Sequence, residues 1–403
     1  MITAEIYETL SMLNQTQLLK YKSLCTPEEY ALLEQQLSSL DYSVLSSPSH
    51  YPRGTFSPIP VMTKEQINLN RDYYTSLGLD AIRFGKVGAV LLAGGQGTRL
   101  GCNAPKGMFN IGEKKELYIF ECLFRSLLDV VQKAGAWIPL FIMTSVQNND
   151  ETISFLNEHD FFGYSKGNVY FFSQEELPTV NQNGKLMLVD KNRVSTAPNG
   201  NGGWYASMRH SAVMDILNNS GIEWLNVFAV DNVLQRMADP CFIGAVLNSG
   251  LECGSKVVVK ASPDEKVGVM CLEDGKPSIV EYYEMTDEMR QQKNADGALA
   301  YNYGVILNYL FRVNCLERTA TEILPLHKAF KKIKYYDGER AICPNEPNAY
   351  KFETLALDLV KLQNSCLPFE VERCREFAPV KNKAGVDSVE TARALLKLNG
   401  VEL

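Results

Sequence analysis

The sequence predicts an α/β fold, a mostly parallel, Rossmann-like sheet covered by helices, and three observations predict it. Short β-branched and aromatic runs alternate with longer helical patterns through the middle of the chain. A glycine-rich stretch through Gly101 follows directly on the apolar run Val87–Leu92, so a loop opens where a buried strand ends. With 403 residues and 45% hydrophobic content, the chain can bury one large core and still carry smaller appendages.

In chain order, residues 1–54 read as an N-terminal helical segment. Ile6, Leu10, Leu13, Leu18 and Leu19 share one face, and Tyr30, Leu33 and Leu37 form a second run. The Pro- and Ser-rich stretch from Ser46 to Pro60 has turn chemistry and reads as the connector into a central domain, 55–378. There the expected strands are Val87–Leu92, Pro139–Met143, Asn168–Phe172, Leu225–Val230 and Lys256–Val259, with helices at Ile119–Ala134 and Tyr205–Asn218. Between Val267 and Val280 two short strands flank Glu273-Asp274-Gly275-Lys276, a hairpin turn of the kind found in insertions or edge ribbons. Residues 379–403 form a short C-terminal extension, and no internal repeat or low-complexity segment is visible.

Composition narrows the function classes. A net charge of −7 with no clustered basic excess argues against a nucleic-acid surface. The start MITAEIYETLSML lacks the basic region of a secretory signal, and no apolar run approaches the roughly 18 residues of a membrane span, so a cytoplasmic protein with no membrane partner is expected. Ten cysteines without a CxxC and only four histidines point to reduced, mostly buried thiols, and away from a zinc site or a disulfide framework. With no Gly-x-Ser-x-Gly arrangement, a nucleophilic triad has no support either.

The glycine loop carries the positive signal. Gly94, Gly95 and Gly97 let backbone N–H groups approach a polyphosphate, while Arg99 and Lys106 bring fixed positive charge to its oxygens. A Walker loop would need Gly-Lys-Ser/Thr at its end, and a dinucleotide loop would need its third glycine before Gly101. In an open parallel sheet, ligands sit at the carboxyl ends of strands where the strand order reverses. Thr144-Ser145, Gln174 and Asp231-Asn232 all fall at such ends. Mg²⁺ takes one or two carboxylates together with phosphate oxygens, which makes Asp231 the candidate ligand; the ordinary alternative is an Asp that caps the next helix or turn. Arg99 and Lys106 would, taken singly, read as solvated charges. A second loop, Ala197 to Trp204, is rich in backbone donors and reads either as a surface turn before a helix or as a ligand loop that meets a base or sugar edge.

Taken together, LAGGQGTRLG with PKG, FIMTS, FFSQEELP, STAPNGNGGWY, FAVDN with ADPCFIG, VEYYE, PNAYKFE and FAPVKN resemble the eukaryotic UDP-N-acetylhexosamine pyrophosphorylases, within the wider UDP-sugar pyrophosphorylase group. The resemblance runs over roughly residues 55–385 with the motifs in order. It implies a nucleotidyltransferase sheet and the reaction of UTP with N-acetylglucosamine 1-phosphate to give UDP-N-acetylglucosamine and diphosphate. It further implies Mg²⁺ or Mn²⁺, and in-line transfer without a covalent intermediate. The resemblance places Leu91, Ala93, Gly94 and Gly95 in the nucleotide loop, Arg99 and Lys106 on the triphosphate, and Gln174 and Gly200 at the uracil. Asn201 and Glu281 fall at sugar positions, Asp231 at the metal and phosphate position, and Lys351 and Lys381 at two lysines that contact the phosphates; Arg99, Lys106, Lys351 and Lys381 form its catalytic set.

Three departures stand out. Val305 occupies a sugar position where the family has Asn, which keeps N-acetylgalactosamine 1-phosphate or another hexose 1-phosphate open as substrate. The family's small C-terminal domain is expected to be reduced, since the chain reaches Leu403 soon after FAPVKN, and Glu175-Glu176 beside Gln174 is more polar than a base site suggests. From another class, a non-catalytic nucleotide-sugar binding protein remains an alternative, and Arg99, Lys106, Asp231 and Lys351 together argue against it.

Overall fold

The computed structural model describes residues 4–48 and 51–403, so the first three residues and positions 49 and 50 of the expected connector lie outside the described residues. The chain groups into two compact units that are not contiguous in sequence. One comprises residues 1–52, 175–203 and 324–355, and the other 53–174, 204–323 and 356–403. This differs from the linear division 1–54, 55–378 and 379–403.

The first unit contains helices α1 (Ala4–Met12) and α2 (Pro27–Ser39). α2 starts with a capping box, Thr26 accepting from the Glu29 N–H while Glu29 accepts from Thr26, and Pro27 fills its first position. It buries Tyr30, Leu33 and Leu37, as the periodicity predicts. Leu18 and Leu19 do not continue α1, because Asn14 turns left-handed at φ 54° and the chain restarts as a short 3₁₀ turn, Thr16–Leu19. The helices are no free appendage. Ile6, Leu10, Leu33 and Leu37 share a core with Leu177, Leu186, Val194 and Phe352 from the two distant segments. A three-stranded antiparallel sheet in this unit has the order His327–Lys331, Ala349–Glu353, Val180–Asn181.

The second unit is built on a ten-stranded sheet. Its strands are β1 (Phe56–Ser57), β2 (Val87–Leu92), β3 (Leu140–Ser145), β4 (Val169–Gln174) and β5 (Trp224–Ala229). They continue with β6 (Cys253–Val259), β7 (Val269–Glu273), β8 (Lys276–Val280), β9 (Tyr303–Arg312) and β10 (Cys366–Glu370). The spatial order is β1-β7-β9-β5-β2-β3-β4, with β6 joining β9 to β10 and β8 beside β7. The run β5-β2-β3-β4 is parallel throughout, and β2 and β3 are buried at every position, which is why both read as unbroken apolar runs. β9 runs antiparallel to β5, β6 and β7, so the predicted parallel sheet carries an antiparallel flank.

Flanking helices are α3 (Arg71–Arg83), α4 (Ile119–Ala134), α5 (Trp204–Arg209), α6 (Val213–Ser220), α7 (Pro240–Ser249) and α8 (Val389–Leu398). α4 matches the expected helix at both ends and stops at Gly135, whose φ of 70° suits a glycine terminator. The expected helix 205–218 is instead split into α5 and α6. Ser211 donates its hydroxyl to the Met208 carbonyl at 2.7 Å and so competes with helix continuation. The hairpin falls where expected, Glu273 opposite Lys276, with Asp274 and Gly275 both left-handed at φ 50° and 79° as a type I′ turn requires. It belongs to the main sheet through β7. The C-terminal residues are likewise integral: Val380, Val389, Ala392, Leu396 and Leu403 are buried in the same core as β2 and α4. All ten cysteines are free thiols, five of them buried and Cys343 exposed. No helix among the described residues is long and apolar enough to cross a membrane.

Candidate active site

From β2 the chain moves outward through β3 and β4, then returns to the other side of β2 as β5. That reversal opens a crevice at the carboxyl ends of β2 and β5, which pair in register as far as Leu92 and Ala229. The glycine loop leaves one side of the crevice and Asp231 the other.

After Leu91 and Leu92, Ala93 is pinned through its N–H to Met143 and through its carbonyl to the Asn148 amide at 3.1 Å. Gly94 then passes so close to Gln174, at the end of β4, that a Cβ would lie 2.7 Å from the Gln174 Oε1. Only glycine allows that approach, so Gly94 and the Gln174 amide are placed together by the absence of a side chain. From Gly95 the loop doubles back. Gly97 N–H donates to Ala104 at 2.9 Å and Lys106 N–H to Gly95 at 3.1 Å, which returns Lys106 to the start of the loop. Lys106 is half-buried, and among the described residues no ion pair or hydrogen bond reaches its ammonium. Burial pulls its pKa below the ordinary lysine value; Asp231 opposes the shift, and Arg99 and Lys381 add to it. Asp231, Arg99 and Lys381 therefore all lie near enough to Lys106 to act on its charge.

Asp231 and Lys381 are linked through the backbone. The Val380 N–H donates to the Asp231 carbonyl at 2.8 Å, and Asn232 and Pro379 form a β-bridge beside it. Lys381 Nζ meets Asp387 Oδ2 at 3.0 Å. Asp387 was not singled out in the sequence; its left-handed φ of 52° ties it to a local turn that no motif marks. Asp231 supplies one carboxylate, and no group of three His, Cys, Asp or Glu gathers as a metal cage among the described residues. Such a donor set fits an Mg²⁺ that shares its ligands with nucleotide phosphates.

The sugar candidates of this unit also meet. Val305 on β9 donates its N–H to the Gly268 carbonyl at 2.9 Å, and a Cβ on Gly268 would lie 3.3 Å from the Glu281 Oε1. Gly200, Asn201 and Lys351 belong to the other unit. Gly200 is left-handed at φ 87°, and a Cβ there would come within 2.2 Å of the Thr354 carbonyl, so the glycine brings its loop onto the segment after Lys351. Thr354 N–H donates to Asn199 at 2.7 Å and Gly202 N–H to Thr354 at 2.9 Å. Lys351 Nζ pairs with Glu353 Oε1 at 2.6 Å, two residues along the same strand face. Asn201–Gly203 forms a 3₁₀ turn leading into α5.

A reversing α/β sheet with a basic glycine loop and a facing carboxylate defines a protein that handles a nucleoside polyphosphate. Residues 59–397 match the family described as UTP–glucose-1-phosphate uridylyltransferase. The chain is 37% identical over 424 residues to the UDP-N-acetylhexosamine pyrophosphorylase-like protein 1 of Mus musculus, covering 97% of this chain and 83% of that one. It is 36% identical over 415 residues to the UDP-N-acetylglucosamine pyrophosphorylase of Saccharomyces cerevisiae, covering 97% and 86%. The uridine diphosphate N-acetylglucosamine pyrophosphorylase of Trypanosoma brucei, solved with an inhibitor, superposes with a TM-score of 0.81 at 26% identity over 96% of this chain and 83% of that one. The chain therefore belongs to the UTP–glucose-1-phosphate uridylyltransferase family, in its UDP-N-acetylhexosamine pyrophosphorylase group, and is a uridylyltransferase.

Proposed function

We propose that this protein is a cytoplasmic UDP-N-acetylglucosamine pyrophosphorylase, joining UTP and N-acetyl-α-D-glucosamine 1-phosphate into UDP-N-acetyl-α-D-glucosamine and diphosphate. The observation that carries the reading is that the glycine loop after β2, which turns Lys106 back onto Gly95, and Asp231 after β5 leave the paired carboxyl ends of those two strands. A half-buried ammonium that no ion pair reaches among the described residues is costly to keep, and a triphosphate would supply the opposing charge.

In this reading the loop from Leu91 to Gly95 holds the nucleotide and Gln174 reads the uracil edge. Glu281 and Asn201 take sugar hydroxyls. Lys106 and Arg99 hold the α-phosphate and the leaving diphosphate, and Lys351 and Lys381 neutralise phosphate charge. The sugar phosphate oxygen attacks the α-phosphorus in line as the diphosphate departs, so catalysis is positioning plus charge stabilisation. Asp231 would hold Mg²⁺, which when bound neutralises phosphate charge.

The test is diphosphate release by purified protein given UTP and Mg²⁺, with N-acetylglucosamine, N-acetylgalactosamine and glucose 1-phosphates in parallel. Release strongest with N-acetylglucosamine 1-phosphate is expected. Val305 favours the second reading, since its side chain offers no hydrogen bond beside Glu281; preference for another sugar phosphate would establish it. Tight UDP-sugar binding with no release from any donor would mean a nucleotide-sugar binding protein. Asp231→Asn is expected to shift the Mg²⁺ titration of activity to higher concentration, and an unchanged titration would remove Asp231 as a ligand.

A further inference from the structure

Behind the crevice lies a set of buried polar groups with no direct role in the reaction described. Lys256, in the middle of β6, is fully buried, and its ammonium reaches Asp239 Oδ2 at 2.8 Å, Glu376 Oε2 at 2.6 Å and the Arg236 carbonyl at 3.3 Å. Asp239 caps α7 by accepting from the Cys241 N–H at 3.1 Å. Asn232, next to Asp231, donates its amide to the Glu376 carbonyl at 2.7 Å and accepts from the Ala378 N–H at 2.8 Å. Asn308 donates to Gln235 Oε1 and to the Arg236 carbonyl, both at 3.2 Å. Asn226 donates to Asn308 Oδ1 at 2.8 Å and accepts from the Ala238 N–H at 2.7 Å. Thus the loop 231–239 is held by side chains from β5, β6 and β9, and by its own Asn232 on the backbone of residues 376–378.

Two strained residues sit against this network. Ala238 is left-handed at φ 46° and Leu307 at φ 53°, neither a glycine. The β6–β9 register shifts between Ser255 opposite Tyr309 and Val257 opposite Val305. Two extra residues of β9 therefore bulge out opposite Lys256, and the bulge lies between Val305 and the inward-facing Asn308. A buried ion pair contributes little to stability that well-packed apolar residues would not, because its desolvation cost offsets its attraction. An arrangement that spends three charges and two strained residues on one loop is one that fixes a geometry.

We propose that Lys256, through Asp239 and Glu376, is a positioning residue that sets Asp231 and Lys381 at their working separation. The inference rests on the uridylyl-transfer reading of that site. Lys256 ties the far end of the Asp231 loop to Glu376, five residues before Lys381, while Asn232 ties the near end to the same segment. Burial pushes the Glu376 carboxyl up, whereas Lys256 outweighs burial at Asp239 and holds it down.

The experiment uses Glu376→Ala and Glu376→Gln in the full chain, both of which leave the Lys256–Asp239 pair neutralised. A third variant, Lys256→Met with Asp239→Asn and Glu376→Gln, removes all three charges. For each, kcat, KM for UTP, Tm and the Mg²⁺ dependence of UTP binding by calorimetry are measured against the unaltered chain. Glu376→Ala is expected to lower kcat on the order of tenfold to a hundredfold with KM for UTP changed far less, and Glu376→Gln to recover most of that loss, as misplacement of reacting groups by about 1 Å predicts. The triple variant is expected to keep its Tm and still show the low kcat and a weakened Mg²⁺ dependence of UTP binding. A folded triple variant with unaltered kcat, or losses in all variants that track Tm alone, would overturn the proposal. Absence of turnover in the unaltered chain would instead reject the reaction, and the calorimetric arm would still decide whether the cluster sets the Asp231 site.

Discussion

The two loops that flank the crevice are built in opposite ways. The loop after β2 is held mainly by its own backbone: Gly97 to Ala104, Lys106 to Gly95, and a glycine that allows close approach to Gln174. The loop after β5 is held by the side chains of Asn226, Lys256 and Asn308 from three strands, and its own Asn232 reaches the backbone at Glu376. The first is local and needs only the right residues in order. The second exists only once the sheet has assembled, so its geometry depends on distant substitutions as much as on its own sequence.

The largest effect should come from the charge that both loops share. Lys106→Ala is expected to lower diphosphate release on the order of a hundredfold to a thousandfold while leaving Tm unchanged or raised, since it removes a half-buried ammonium that no ion pair reaches among the described residues. A Tm fall comparable to the rate loss would show that Lys106 holds structure instead. Next comes Gly94→Val, which forces a branched side chain onto Gln174 at the one close approach of the local loop. Overpacking of about 1–3 kcal/mol predicts a Kd for UTP raised about tenfold to a hundredfold. Calorimetry that finds unaltered UTP affinity would separate Gly94 from the nucleotide.

Asn232→Ala probes the other construction. It strands the Glu376 carbonyl and the Ala378 N–H, both buried, and should cost about 1–3 kcal/mol in a denaturant titration, with a loss of activity. A smaller and independent effect is expected away from both loops. At Glu273 burial alone would raise the carboxyl pKa, yet the Arg53 guanidinium, the Gly54 N–H and the Ser278 hydroxyl hold it at about 2 against an ordinary 4.5. The native state therefore binds this proton more weakly than the unfolded chain does. The stabilisation is present above the unfolded value and is lost as pH falls from about 4.5 toward about 2. Glu273→Gln should lower Tm at neutral pH, flatten the decline of Tm over that acid range, and leave kcat alone.

Legibility followed the same divide. Every expected strand of the parallel run is present, because β2 and β3 are buried on both faces and so must be apolar throughout. The hairpin was legible from Asp274-Gly275, and α2 from its spacing of Tyr30, Leu33 and Leu37. The break at Ser211 and the left turn at Asn14 were not, because a single hydroxyl or one backbone angle outweighed an otherwise continuous periodicity. The grouping of α1 and α2 with residues 175–203 and 324–355 could not be read either, since no local pattern records which distant segment will cover an apolar face. Among the candidate site residues, Arg99, Asp231 and Lys381 all act on the charge of Lys106, whereas Lys256, with its two buried carboxylates, drew no notice inside an expected strand.

What the sequence determined alone was whatever short-range chemistry decides: the α/β class, the glycine loop with its two cations, the strand-end Asp231 and the family motifs in their order. What only the tertiary structure decided was the partner of each buried charge and the shape of the loop 231–239. A charge on a strand reads as solvent-facing until the sheet withdraws it from water, and then it must find its counter-charges wherever the fold has brought them, here at Asp239 and Glu376.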